Sequence, residues 1–147
     1  MRISDEELSI EAKMDSGKWT QLELSFLLLV FFQLKHFLAD FPLQVEYMLK
    51  KTRAGWEFIV PLTVHCTVHA VLTASLVFYL CPRLWWLSVF DFVVHFVMDR
   101  IKSGPRYLGR FNDQDKPSFW NCLGFDQMVH HLTHMFIVWV IVTSGSC

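Results

Sequence analysis

The chain has no run of basic residues, no CxxC pair and no low-complexity segment, and each absence removes a class of protein. Without a Lys/Arg tract there is no electrostatic footprint for nucleic acid. The four cysteines, Cys66, Cys81, Cys122 and Cys147, lack metal-finger spacing, so neither a thiolate zinc site nor a disulfide framework is indicated. Charged residues are only 18% of the 147, against 53% hydrophobic, which excludes a disordered or collagen-like chain. No internal repeat is visible, and the length allows one domain. Residues 1–20 are polar, with five acids (Asp5, Glu6, Glu7, Glu11, Asp15) against Arg2, Lys13 and Lys18. No signal peptide with a basic start and apolar middle is therefore expected, and these residues read as an acidic N-terminal arm before a domain over 21–147.

Long apolar stretches fill that domain. Phe58 to Pro82 is 25 residues without Asp, Glu, Lys or Arg, more than the ~20 needed to cross a hydrocarbon core. Gln127 to Cys147 lacks the same residues and carries the apolar run 136–142. Leu24 to Phe41 (with Lys35 and Asp40) and Leu84 to Ile101 (with Asp91, Asp99 and Arg100) are long enough to cross if those polar groups have a reason to be there. The expected fold is all-α: an integral membrane bundle of four transmembrane helices, with a short amphipathic interfacial helix over Pro42 to Arg53 after the first span. Pro42 marks the corner where the first span ends. The short link Cys81-Pro82-Arg83 makes spans two and three an antiparallel hairpin, and Lys102 to Asn121 is the longest connection.

Orientation follows from the cations. Lys50, Lys51, Arg53, Arg100, Lys102, Arg106, Arg110 and Lys116 follow spans one and three, while Arg2, Lys13, Lys18 and Arg83 lie on the other side. The positive-inside bias places both termini outside the cytoplasm, in an inner (cytoplasmic) membrane protein.

Every span carries His or Asp four residues apart: His36 and Asp40; His65 and His69; Asp91, His95 and Asp99; Asp126, His130 and His134. Residues at that spacing share a helix face. In an up-down bundle His36/Asp40, His65/His69, His95/Asp99 and Asp126/His130 fall at the same, cytoplasmic, end. A lone transmembrane His is ordinarily packed or hydrogen-bonded between helices. Four aligned pairs read differently, because a buried carboxylate costs several kcal/mol unless paired, wetted or bound to a cation. Imidazole with carboxylate suits Zn²⁺, Mn²⁺ or Fe²⁺, and the lack of thiolate favours an open site over a closed structural one. The predicted metal ligands are His36, Asp40, His65, His69, His95, Asp99, Asp126 and His130. A metal-free proton or ion pathway is the main competitor. Haem would leave Asp40, Asp99 and Asp126 unused. His131 and His134 read as support or packing, and Asp91 as a hydrogen-bond partner within its own stripe.

These motifs carry a resemblance. The segment 36–44, His65 and His69, the segment 95–99 followed by Lys102, and the segment 126–130 together resemble the bacterial and phage membrane proteins of domain-of-unknown-function family 3307, over roughly residues 30–140. The same motifs are similar to those of putative inner-membrane metal-dependent hydrolases, which implies a reaction class and no substrate.

The resulting expectation is a membrane-embedded metal-dependent hydrolase at the cytoplasmic face, its ion acidifying a bound water toward about pH 7. Asp40 or Asp126 would be general base. Lys51 and Lys102 would hold an anionic group that Gln44 and Gln127 orient. Membrane lipid, and a lipid-linked phosphate or ester as substrate, follow from the location. The rival is a non-enzymatic bundle that binds metal, conducts protons or ions, or modifies the envelope through a membrane-protein partner or a second copy of itself, with the acidic arm as contact surface.

Overall fold

A computed structural model describes residues 19–145, which form helices and their connections with no strand among the described residues. The acidic arm lies outside them apart from Trp19 and Thr20. Thr20 caps helix α1 (Gln21–Asp40): the Glu23 amide donates to Thr20 Oγ1 at 3.2 Å, and the Thr20 amide donates back to Glu23 Oε2 at 2.9 Å. This capping box satisfies two amides that the first turn would leave orphaned. At the other end the helix stops two residues before Pro42, whose missing N–H and fixed φ cannot continue the ladder.

The expected interfacial helix is shorter than its amphipathic pattern suggests. Helix α2 covers only Glu46–Leu49 and runs into a single 3₁₀ turn, Lys50–Thr52, with Met48 buried beneath it. Helices α3 (Ile59–Leu80) and α4 (Trp86–Ser103) are joined by a 3₁₀ turn over Pro82–Leu84, the short hairpin link expected. The long connection is narrower than its Gly- and Pro-rich composition implies. Helix α4 runs on through Ser103, and α5 (Pro117–Thr143) begins ten residues before Gln127 because Pro117 sits in its first turn, where a proline is pre-shaped for the helix.

Helix α1 packs on α3 and α5, and α4 packs on the same two, closing a ring of four. The ring is polar inside and apolar outside. Buried within it are Lys35, His36, His65, His69, Thr73, Asp91, His95, Asp99, Asp126, His130 and His134. Outward stripes of large apolar side chains run down every long helix, for example Val89, Val93 and Val97 on α4, and Met128, Leu132, Met135 and Trp139 on α5. An apolar plug of Leu28, Phe32, Val77, Leu87, Ile137, Val138 and Ile141 fills the end of the ring remote from α2.

Two helices are long and apolar enough to cross a membrane by length and composition: α1, with mean hydropathy 1.6, and α3, with 1.5. The sequence reading ranked the fourth span above the first, and the reverse holds. Three histidines and Gln127 depress α5, whereas α1 carries the unbroken apolar run 26–32. Cys66 and Cys122 are free thiols. Cys81 is disulfide-bonded, which cysteine spacing did not indicate.

Candidate metal centre

Helix register decides where the polar pairs meet. His36 and Asp40 occupy the last turns of α1, His65 and His69 the second and third turns of α3, and His95 and Asp99 the last turns of α4. Asp126 and His130 face them from α5, which by then has run more than two turns past its start. All eight predicted ligands meet in one layer.

The contacts form a continuous chain. His36 Nε2 lies 3.1 Å from Asp40 Oδ2. Asp40 Oδ1 is shared by His69 Nε2 at 3.2 Å and His65 Nε2 at 3.3 Å. The same His65 nitrogen lies 3.2 Å from Asp99 Oδ2, and His130 Nε2 lies 3.3 Å from both Asp99 Oδ1 and Asp126 Oδ1. The His95 ring packs between His69 and His130 with centroids 4.0 Å away on each side. Trios whose donor atoms all fall within 4.8 Å are Asp40, His65 and His69; Asp99, Asp126 and His130; and His36, His69 and His95.

Distance and orientation disagree in an informative way. His36 Nε2, His65 Nε2 and Asp126 Oδ1 are buried and make no hydrogen bond, although each has an oppositely disposed atom within 3.1 to 3.3 Å. Ligands held about 2.0–2.2 Å from one zinc-sized ion in tetrahedral or octahedral array stand roughly 3.0–3.5 Å apart, each pointing at the ion and not at its neighbour. The donor set could hold a divalent transition ion by residue type, with the donor atoms of each trio within 4.8 Å of one another.

The family can now be stated: a model described as a protein of unknown function (DUF3307) matches residues 27–146. The chain belongs to that family. No curated protein and no solved structure matches it. The DUF3307 match takes in α1 from residue 27 onward and the other three long helices, and with them all eight donors of the layer.

Around the layer, the remaining predicted residues fall at its rim. Lys102 Nζ donates to Asp126 Oδ2 at 2.8 Å, and Gln127 Nε2 donates to the same oxygen at 3.1 Å. Lys51 Nζ donates to Asp99 Oδ2 at 2.6 Å. Both lysines thus neutralise site carboxylates, a role the headgroup reading did not give them. Gln44 touches none of these groups. It lines an open cleft of about 470 Å³ with Asp40, Lys51, Lys102 and Gln127. A neighbouring cleft of about 490 Å³ shares Lys51, Asp99 and Lys102 but has apolar walls from Leu108, Phe111, Phe119 and Leu123. Of the two candidate bases, Asp40 keeps 24% of its side chain exposed and Asp126 only 1%.

Asp91 contacts His95 on its own stripe, as the spacing suggests, with Oδ1 3.1 Å from Nδ1. Its stronger partners come from other helices: Lys35 and Thr73 both donate to Oδ2 at 2.6 Å. Neither had been assigned a role. The signal available for Lys35 was its place, alone in mid-span like Asp91 and opposite in charge.

Proposed function

We propose that the protein is an inner-membrane, four-span, metal-dependent hydrolase working at the cytoplasmic face on a lipid-linked phosphate or ester. One observation carries the reading: donor trios drawn from four helices, each with its atoms within 4.8 Å of one another, share one layer, and several of those atoms make no hydrogen bond. Asp99, Asp126 and His130 form one ligand trio, and His65 with His69 the core of another. When bound there, a divalent ion supplies Lewis acidity and acidifies a coordinated water. The chain's own groups do the rest. Asp40, open to the cleft, accepts the proton as general base. Lys51 and Lys102 stand on either side of the opening, where an anionic headgroup would add to their partners. Gln44 and Gln127 supply neutral polar contacts from the cleft wall.

The four-span reading is supported by the outward faces of α4 and α5. Long stripes of exposed Val, Met, Leu, Phe and Trp around a polar interior are the reverse of what water selects. Asp91, His95 and Asp99 of α4 and Asp126, His130 and His134 of α5 are all buried inside the ring.

A conducting bundle is the weaker reading because the polar chain does not run through. It ends at Lys35, Thr73 and His134, and the apolar plug of Leu28, Phe32, Val77 and Ile137 closes the ring beyond.

Elemental analysis of detergent-purified protein tests the proposal. One or two equivalents of zinc, manganese or iron are expected, with a loss of at least half on substituting His65→Ala. Well-folded wild-type protein that carries no transition metal and takes none up on dialysis would overturn it.

A further inference from the structure

Beneath the layer, toward the apolar plug, a further trio converges: donor atoms of Asp91, His95 and His134 lie within 4.8 Å of one another. By donor type and spacing it matches the trios above. The difference is Lys35. Its ammonium lies 2.6 Å from Asp91 Oδ2 and 3.5 Å from His134 Nε2, and both the lysine and aspartate side chains are fully buried. We propose that this trio is a second cation site whose resident cation is the chain's own lysine, and that it serves to hold His95 for the layer above. The second half of that claim rests on the metal reading just given; the first does not.

Charge and geometry argue it. An unpaired carboxylate at this depth would cost several kcal/mol, and the chain has met that need covalently, with a cation that cannot dissociate. Lys35 and Thr73 together occupy Oδ2, which turns Oδ1 toward α4. There Oδ1 lies 3.1 Å from His95 Nδ1, and the Asp91 carbonyl oxygen lies 3.2 Å from the same nitrogen. The carbonyl can only accept, so Nδ1 carries the proton, and the Oδ1 charge beside it favours that tautomer without a hydrogen bond of its own. His95 Nε2 is then left as a bare lone pair, and it is buried with no partner. An imidazole whose distal nitrogen donates to a backbone carbonyl, with a carboxylate close by, is an arrangement that fixes tautomer and ring orientation in metal sites. His95 is held between His69 and His130 at 4.0 Å from each, so the orientation is delivered to the layer. Asp91 and Lys35 are thus positioning residues. They reach the layer only through His95.

Cobalt titration of metal-stripped protein in detergent, followed by ligand-field absorption, tests this in wild type, Lys35→Met, Asp91→Asn and the double variant. Lys35→Met vacates the ammonium position and is expected to take up one Co²⁺ more than wild type. Asp91→Asn is expected to keep the wild-type stoichiometry with affinity lowered about 10–100-fold, the usual effect of losing such a partner, and with a changed spectrum at unchanged helical content. Lys35→Met without the additional equivalent overturns the resident-cation claim, and Asp91→Asn with wild-type affinity overturns the positioning role. Should Lys35→Met fail to fold while the double variant folds, the lysine is confirmed as the counter-cation; should neither fold, the claim falls. Wild-type protein that binds no Co²⁺ sinks the hydrolase reading, whereas an ion appearing only in Lys35→Met still upholds the closed cation site.

Discussion

At the level of single residues, Asp99 is the junction of the site. One oxygen faces His130, the other faces His65 and accepts from Lys51. Asp99→Asn keeps the shape and removes the charge, so insertion and helix packing should survive while the trio with Asp126 and His130 loses its second anion. Metal content should fall by at least one equivalent and turnover should vanish, with the elution volume on size exclusion unchanged. Full metal retention would remove Asp99 from the ligand set. The eight donors were legible in the sequence because i, i+4 spacing places two side chains on one face and span order fixes which end they occupy. Lys51 and Lys35 were not so legible. Their partners, Asp99 and Asp91, sit on another helix, and no spacing within one segment reports which side chain fills the gap between two.

Among elements, the connection from α4 to α5 has the tightest sequence requirements. A Cβ at Gly109 would stand 2.6 Å from the Ser103 carbonyl oxygen and 2.8 Å from that of Gly104, so this backbone turn rests directly on the end of α4. Gly109→Ala must push backbone against backbone and should lower thermal stability by about 1–3 kcal/mol, the usual cost of overpacking. Gly124, inside α5, has nothing within 4 Å of its would-be Cβ, so Gly124→Ala should instead stabilise by about 1 kcal/mol through helix propensity. Melting curves of the two variants in one detergent check both signs. Turn residues marked this connection in the sequence, yet its ends were misplaced by several residues. A proline that opens a helix and one that closes it look alike until the following turn is known, as Pro117 and Pro42 show. The outer faces make a separate prediction. Val93 lies on the exposed stripe of α4 opposite the polar one. If that stripe meets lipid, Val93→Arg places a guanidinium near mid-span at about 2.5–3.5 kcal/mol, and the membrane-inserted fraction should collapse. A surface substitution in water would change stability by only about 0.5 kcal/mol, so unaltered yield and behaviour would refute the span.

On the scale of the whole molecule, the site lies at one end and the apolar plug at the other, so orientation decides which compartment the chemistry serves. Eight cations flank the site end, Arg100 and Lys102 in the last turn of α4 and six in the connections after α1 and α4. If the proposed membrane insertion holds, that bias favours the site end on the cytoplasmic side. Reporter fusions separate the two orientations. Alkaline phosphatase, which needs export to become active, should be active when fused after Thr143 and inactive when fused after Gln114 in the α4 to α5 connection. The reverse pattern would put the His/Asp layer outside the cytoplasm. Lys51 and Lys102 would then face the outer leaflet, and any substrate would have to be drawn from there.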